Sequence, residues 1–317
     1  MSTNGSSDTR NTFSTPTPIE VSFELQAARL EFVASDRTDT VVTVAPRNPS
    51  RQGDLSLVQA TSATYADGRV TIVGPKRWSI FGAGQDSIVV TVEVPTGSTI
   101  GGELAYGNVR GAGRLGDVRI KSSYGELAFY EVGAADLRTS SGEISIGTAA
   151  GHVELTTSNG AIRVDVIEGS AIVKTSNGDI AIGEVTGALQ ANVSAGNIRV
   201  DYAGTETTAK IAYGNIRIGE VVEGSVRLEA AYGELEIGVP EGTAAWLDVN
   251  SNHGFVRNEL TAGAAPQPGD KTVEVRARVN WGDIVIHRPV NRRPGERRAK
   301  TQTPNQKNST KKEGNES

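Results

Sequence analysis

A glycine recurs at a nearly constant interval from Gly107 onward, and this period restricts the possible folds more than any other feature of the chain. The marked glycines are Gly107, Gly125, Gly142, Gly160, Gly178, Gly196, Gly214, Gly233, Gly254 and Gly282. Subtracting each of these numbers from the next gives 18, 17, 18, 18, 18, 18, 19, 21 and 28. A unit this short cannot bury an apolar face alone, so several copies must stack on one another. The period therefore predicts a repeat protein of about ten short coils.

The residues around each glycine alternate between apolar and polar, as they do in β-strands. Apolar residues lie two and four positions after the glycine, as at Ile180 and Ile182, and five and seven positions before it, as at Ala171 and Val173. This period of two puts one face of each strand inside and the other outside. The Asn-Gly and Ser-Gly pairs tolerate the positive φ of a sharp corner. We therefore predict an all-β, single-domain, β-helix-like solenoid with two strands per coil, filling residues 97–288.

The segment before the repeats has long strand-like runs but lacks the glycine period. We predict that residues 18–96 form an antiparallel β cap over the first coil, because an uncovered sheet edge recruits other chains. Within the cap, Asp67-Gly68 predicts a hairpin turn between two strands. The Ser-, Thr- and Asn-rich residues 1–17 are expected to be disordered.

The end of the chain differs in charge from the rest. We expect residues 271–279 and 282–286 to be the last strands of the solenoid, and residues 289–317 to be a disordered tail. Nine Lys or Arg and three Glu lie between Arg288 and Ser317, whereas the whole chain has a net charge of −5. A basic tail on an acidic body could contact anionic lipid or nucleic acid.

The repeat, the strand-rich leader and the Ser/Tyr-Gly-Asn/Glu-Ile turn together resemble the bacterial "putative adhesin" family of β-strand repeats, a family of unknown function. The resemblance covers residues 18–288. It implies a β-solenoid and supplies no catalytic residue. The chain begins without an apolar signal segment and has no run long enough for a membrane helix, so the sequence favours a cytoplasmic location.

Two rows of side chains are candidate binding surfaces. The residues directly before the glycines include an aromatic row that could contact a partner: Tyr106, Tyr124, Tyr213, Tyr232 and Trp281. The residues directly after the glycines include an acidic row: Glu126, Glu143, Asp179, Glu234 and Asp283. The acidic row is either a face salt-bridged by Arg110, Arg163, Arg199 and Arg217, or a stripe that binds a cation. The aromatic row is either a partner site or packing between adjacent corners.

The sequence predicts no catalytic, cofactor or metal site. His152, His253 and His287 lie in different coils without metal-ligand spacing, and the chain has no cysteine. The leading hypothesis is a non-enzymatic, adhesin-like scaffold that binds a protein or polysaccharide on its flat faces. The alternative is a scaffold or cytoskeletal protein that polymerises end to end. A polysaccharide-acting enzyme is third, because short coils provide no groove with clustered carboxylates.

Overall fold

A computed structural model describes residues 8–75, 86–261 and 271–289. It contains one helix, α1 (Gln52–Ala60), and 26 strands. In chain order the strands are β1 (Thr9–Ser14), β2 (Glu20–Ser35), β3 (Asp39–Pro46), β4 (Ser62–Ala66), β5 (Arg69–Val73), β6 (Ile88–Pro95), β7 (Thr99–Tyr106), β8 (Val109–Arg114), β9 (Val118–Tyr124), β10 (Leu127–Val132), β11 (Ala135–Ser141), β12 (Ile144–Ala149), β13 (Val153–Asn159), β14 (Ile162–Ile167), β15 (Ala171–Asn177), β16 (Ile180–Val185), β17 (Leu189–Ala195), β18 (Ile198–Ala203), β19 (Thr207–Tyr213), β20 (Ile216–Val221), β21 (Gly224–Tyr232), β22 (Leu235–Gly238), β23 (Thr243–His253), β24 (Val256–Asn258), β25 (Lys271–Trp281) and β26 (Ile284–His287).

The repeats form a nearly closed solenoid, as the sequence predicts. In each coil the strand before the marked glycine joins one sheet, and the strand after it joins a second sheet. We call these the pre-corner sheet and the post-corner sheet. Strands of successive coils pair in parallel, and equivalent repeat positions lie directly opposite one another, as Val173 lies opposite Leu155 and Ala191. This register stacks like residues into columns along the rod.

The interior is a column of aliphatic side chains from both sheets. Leu155, Val173 and Ile162 are among the residues with no exposed surface. Three inward-facing threonines, Thr139, Thr157 and Thr175, are buried as well, as the alternation predicts. Burial of this column is the main source of cohesion between coils, because no single coil could exclude water by itself.

The boundary between cap and solenoid was predicted incorrectly at β2. This strand is a complete coil by itself: residues 20–27 pair in parallel with β7 in the pre-corner sheet, and residues 28–35 pair in parallel with β6 and partly with β8 in the post-corner sheet. Its corner carries Ala28 instead of a glycine, so the glycine period does not reveal it. The solenoid therefore begins near residue 20, inside the segment that we predicted as an antiparallel cap.

The rest of the N-terminal segment caps both sheets. The predicted hairpin at Asp67-Gly68 is confirmed, since β4 and β5 pair antiparallel on either side of it. β3 pairs antiparallel with β6 and β1. Two features were not predicted: α1 packs against β3 and β6, and residues 9–14 form β1 where disorder was expected. The expected disorder of residues 1–7 and of the basic tail after Pro289 lies outside the described residues.

The last coils do not follow chain order. β25 pairs with β21 on one side and with β23 on the other, and β26 lies in the same way between β22 and β24. The chain therefore leaves one rung empty after β22, builds β23 and β24 beyond it, and returns to fill it. Our expectation that β25 and β26 end the rod was wrong, because β23 and β24 lie beyond them. The wide interval between Gly254 and Gly282 reflects this return.

Candidate functional site

The corners hold the repeat glycines in a conformation that other residues rarely adopt. Gly178 has φ of 142°, and a Cβ added there would lie 2.1 Å from the carbonyl oxygen of Gly160 in the neighbouring coil. The strained φ and the close approach of backbone both require glycine. The buried hydroxyl of Thr175 donates to that same Gly160 carbonyl at 3.2 Å. The corner is thus fixed by backbone contact between coils.

Short polar side chains after the glycines continue this corner structure. The Oδ1 of Asp179 accepts from the backbone N–H of Asn197 at 2.8 Å, and the Oδ1 of Asn197 accepts from Asn215 at 3.1 Å. Asn215 does the same for the N–H of Glu234 at 2.8 Å. At the end of the rod, Asp283 accepts from Phe255 at 2.9 Å. Asp179 and Asp283 of the predicted acidic row, like the asparagines at the same repeat position, therefore connect neighbouring coils, and sequence reasoning missed this role.

The glutamates of the acidic row form ion pairs. Arg110 contacts Glu126 at 3.2 Å, and Arg163 contacts Glu143. Its hydrogen bond to Glu143 and the charge of that carboxylate raise the pKa of Arg163. The salt-bridged alternative is thus confirmed for these two pairs. Among the residues that the structure describes, no group of three His, Cys, Asp or Glu could hold a metal ion.

Two of the arginines proposed as partners of the acidic row pair elsewhere. Arg199 contacts Asp201 at 2.8 Å and Arg217 contacts Glu236 at 3.0 Å. Both carboxylates lie farther along the post-corner sheet than the corner position. That part of the prediction was wrong, because same-strand and cross-strand neighbours are nearer to each guanidinium than the corner residues are.

The predicted aromatic row exists and is exposed at the corners. Tyr106 stacks on Tyr124 with ring centroids 5.2 Å apart, and Tyr213 stacks on Tyr232 at 5.1 Å, with interplanar angles of 3° and 5°. Because stacked rings cover each other's faces, the row presents mainly ring edges and hydroxyls. Its members are between 44% and 61% exposed. The structure is therefore compatible with both interpretations of the row: the rings pack between adjacent corners, and their edges remain accessible to a partner.

The unexpected strand order extends the late part of the aromatic row. Tyr232 lies opposite Trp281 in neighbouring strands, and Trp281 stacks on His253 with centroids 3.9 Å apart. Four successive rungs therefore carry Tyr213, Tyr232, Trp281 and His253. Sequence reasoning left out His253, although it directly precedes the repeat glycine Gly254, because the histidines were considered only as metal ligands.

A shallow trough of about 760 Å³ runs along the outer face of the pre-corner sheet beside this row. It spans seven rungs, which at a strand spacing of about 4.8 Å corresponds to roughly 29 Å. Small residues two positions before the glycine line it: Ser158, Ser176, Ser194, Ala212 and Ala231, with Asn280 and Asn252 at the end of the rod. The small side chains leave the space that makes the surface concave. The sequence showed this row of small residues but gave no reason to expect a trough.

Longer polar side chains form one border of the trough. Lys174, Asn192 and Lys210 lie four positions before their glycines. Lys210 is paired with Glu229 at 2.8 Å, and Arg278 with Asp248 at 2.6 Å. The lining therefore offers hydroxyls, amides, an ammonium group and paired charges, together with the methyl groups of alanines.

The three histidines lie in different coils, as the sequence predicts. The Nδ1 of His152 is 2.7 Å from the Oγ of Ser170, and the Nε2 of His287 is 2.9 Å from a carboxylate oxygen of Glu236. His253 stacks on Trp281, as described above. A hydroxyl beside an imidazole can serve as a nucleophile only if a third group orients the ring, and Ser170 and His152 lie on the exposed turn with no such group in contact among the described residues.

Burial and charge shift one phenol near the far edge of the post-corner sheet. Burial raises the pKa of Tyr202, and the carboxylates of Glu220, Glu184 and Glu223 raise it further. The phenol therefore stays protonated and able to donate at neutral pH. It lies on the sheet opposite to the trough and takes no part in that surface.

No helix within the described part of the chain is long and apolar enough to cross a membrane.

Comparisons with known proteins place the chain among solenoids of unknown function. The family model that matches is described as Toastrack DUF4097, and it covers residues 19–287. No curated protein matches the chain.

Solved structures similar to the chain share little sequence with it. A "putative adhesin" from Parabacteroides merdae is 14% identical, with 90% of this chain and 97% of that chain covered and a TM-score of 0.41. A "putative adhesin" from Parabacteroides distasonis is 13% identical, with 88% and 96% covered and a TM-score of 0.36. A "putative lipid binding protein" from P. distasonis is 13% identical, with 89% and 97% covered and a TM-score of 0.41. At these TM-scores the three likenesses carry no argument about function.

Proposed function

The chain belongs to the Toastrack DUF4097 family, and we propose that it is a non-enzymatic scaffold that binds a macromolecular partner along its pre-corner sheet. The observation that carries the proposal is the trough, a shallow surface of about 760 Å³ that crosses seven rungs of the pre-corner sheet. Binding sites are concave and combine apolar area with a few convergent polar groups. The predicted aromatic row lies beside this surface and provides phenol hydroxyls and ring edges.

The shape and chemistry of the trough favour an extended, hydroxyl-rich polymer. It is long, shallow and lined by Ser hydroxyls and Asn amides, which can both donate and accept hydrogen bonds. Protein partners are usually held by large aromatic or aliphatic anchors in deep pockets, and the small residues of the trough do not form such pockets. A polysaccharide chain lying along the rod would meet serine hydroxyls on three rungs, alanine methyl groups on the next two and asparagine amides on the last two.

The described residues support a binding role without chemistry. Some carboxylates near the corners and on the post-corner sheet are engaged by arginines, as in the pairs of Glu143 with Arg163 and of Asp201 with Arg199. The trough itself contains Glu229, which is paired with Lys210. A glycoside-cleaving site requires two carboxylates facing each other across a groove, and the lining supplies no second one.

Calorimetric titration of soluble glucans, mannans and chitooligosaccharides into three proteins tests this function. We expect one of these polymers to bind the wild-type chain, and Ser176→Tyr to weaken that binding at least tenfold by filling the trough. Ala181→Tyr is the matched control: it places the same ring on the neighbouring strand β16, on the opposite sheet, and should bind as the wild type does. Absence of binding for every polymer, or equal loss in both variants, would contradict the proposal. If the chain instead captures a protein, and that protein no longer binds the Ser176→Tyr variant, the trough is the site of a protein partner.

End-to-end assembly into a filament is the second candidate. The C-terminal end favours it, because apolar residues are exposed in β23, in β24 and at the corner between them, where Phe255 is 78% exposed. The antiparallel cap at the other end disfavours it, since a filament needs two complementary ends. Electron microscopy of the purified chain distinguishes the two: filaments would support the second candidate and discrete particles the first.

A further inference from the structure

The C-terminal end of the rod presents an open sheet edge. β23 pairs with β25 on one side only, and β24 pairs only with β26, within the residues that the structure describes. β23 is one of the longest strands of the protein, with 11 residues. A long edge strand offers a row of unpaired backbone N–H and C=O groups to another strand.

The hydrophobic core is also open at this end. Leu247 and Val249 point inward from β23 but remain only partly buried, whereas Val275 and Ala277, their neighbours in β25, are completely buried. Val256 of β24 is 44% exposed, although the residue opposite it, Ile284, is fully buried. The terminal rung therefore has the same pattern of inward-facing apolar residues as the other rungs, but no described residue covers its outer edge.

The opposite end of the rod is finished differently. There the sheets end in the antiparallel strands β4 and β1, and α1 adds the buried side chains Leu57 and Val58. Repeat proteins need a cap at each end to stay soluble. The described chain therefore supplies an end cap for the N-terminal coils and leaves β23 in need of one.

We propose that a second copy of this chain covers the open rung, with β23 of one copy pairing antiparallel with β23 of the other about a two-fold axis. Such pairing is self-complementary, because each copy offers the same edge and the same inward row of Ala245, Leu247 and Val249. A two-fold axis at Leu247 places Asp248 opposite Trp246 of the other copy, and an axis at Val249 places it opposite Asn250. In neither arrangement does Asp248 lie opposite Asp248 of the other copy. Asp248 is already neutralised by Arg278 at 2.6 Å, so no uncompensated charge lies across the junction.

A two-fold contact limits the assembly to two chains. Both copies use the same edge, so the contact closes on itself and leaves a capped N-terminal end at each outer tip. The result is a tail-to-tail dimer, in contrast to a filament, which would need the edge of one copy to meet the cap of the next. This inference does not depend on what the trough binds.

Sedimentation equilibrium of the full chain and of three variants tests the proposal. We expect the wild-type chain at twice its mass of 33.3 kDa. Leu247→Lys, which places an ammonium group in the inward apolar row, should shift the dimer dissociation constant upward at least tenfold. The exposed-face double variant Trp246→Glu/Asn250→Glu should do the same, because about either axis it places a glutamate opposite Asp248 of the other copy. Thr64→Lys, on the edge strand β4 at the other end, is the matched control and should stay dimeric. Far-ultraviolet circular dichroism checks that each variant is folded, and the exposed-face double variant keeps the test valid if Leu247→Lys is not folded.

Cross-linking adds a second measurement, because the chain has no cysteine. Leu247→Cys or Val249→Cys, whichever residue lies on the two-fold axis and so faces its own copy, should give a disulfide-linked dimer under mild oxidation, whereas Thr64→Cys should not. A wild-type monomer at tens of micromolar, filaments, or a dimer that survives both β23 variants would overturn the proposal. A monomer that becomes a dimer when residues 290–317 are deleted would show that the rung is covered within the chain.

Discussion

The imidazole of His253 stacks on the indole of Trp281 with ring centroids 3.9 Å apart, although the two residues belong to coils that the chain builds in reverse spatial order. The stack shows that β23 and β25 are adjacent. Because Trp281 also lies opposite Tyr232 of β21, β25 lies between β21 and β23, and the rod departs from a simple sequential winding at this point.

Paired cysteines test this strand order. Arg227 lies opposite Arg276, and Arg276 lies opposite Asp248. Cα atoms on adjacent strands are about 4.8 Å apart, within disulfide range, whereas those two strands apart are about 9.6 Å apart. We expect the pair Arg227→Cys and Arg276→Cys to form a disulfide and the pair Arg227→Cys and Asp248→Cys to remain reduced, as measured by mass spectrometry. The reverse pattern would mean that the coils follow chain order.

Two buried threonines give opposite predictions for the same substitution. Thr175 donates a hydrogen bond to Gly160, so Thr175→Val should lower the free energy of unfolding by about 1 kcal/mol. The hydroxyl of Thr207 is buried without a partner in the described structure, so Thr207→Val should be neutral or stabilising by up to about 1 kcal/mol. Urea unfolding measures both values. Equal effects of the two changes would show that the inward hydroxyls do not bond to the corners.

The corner glycines should be much less replaceable than other glycines with positive φ. Gly178→Ala places a Cβ 2.1 Å from a backbone oxygen, and we expect a loss on the order of 3 kcal/mol. Gly242 also has positive φ, at 82°, but a Cβ there meets nothing within 4 Å, so Gly242→Ala should cost only about 1 kcal/mol. Thermal unfolding of the two variants compares them. Similar losses would mean that conformation alone, and not contact between coils, selects glycine.

The cap contains an ion pair that makes a prediction about pH. The hydrogen bond from Arg37 at 2.9 Å, together with the guanidinium charge, holds the pKa of Asp39 below its usual value. A lowered folded-state pKa adds stability above the unfolded-state pKa, and this stability is lost as the pH falls through the folded-state value. The acid-side loss of unfolding free energy should therefore be smaller in Asp39→Asn than in the wild type. Identical profiles below pH 4 would contradict the prediction. Because the carboxylate of Asp39 is partly exposed to solvent, which screens the pair, the difference should be small.

The sequence predicted the parts of the fold that repeat. The spacing of the glycines and the alternation around Ile180 or Val173 were enough to give the two strands, the inner face and the corner. The aromatic row followed from the same alignment. These features depend on contacts between neighbouring copies of one unit, so each copy carries the information needed to recognise them.

The features that the sequence did not predict depend on pairing without a local signal. β2 bends through its corner at Ala28 and lacks the glycine that marks the other coils. The return of β25 and β26 means that β21 pairs with β25 and not with β23. The sequence of β21 does not indicate which of these two strands is its partner. The trough arises from the absence of large side chains at positions such as Ser176 and Ala212, which becomes a surface only when seven coils are stacked.

NMR of the isotope-labelled chain, titrated with the polymer that binds in calorimetry, tests the central claim most directly. The account predicts that chemical-shift changes follow the trough, with Ser158, Ser176 and Ser194 affected on successive strands and their counterparts on the post-corner sheet unchanged. Shifts confined to the post-corner sheet, or scattered over both sheets without following the rungs, would contradict it.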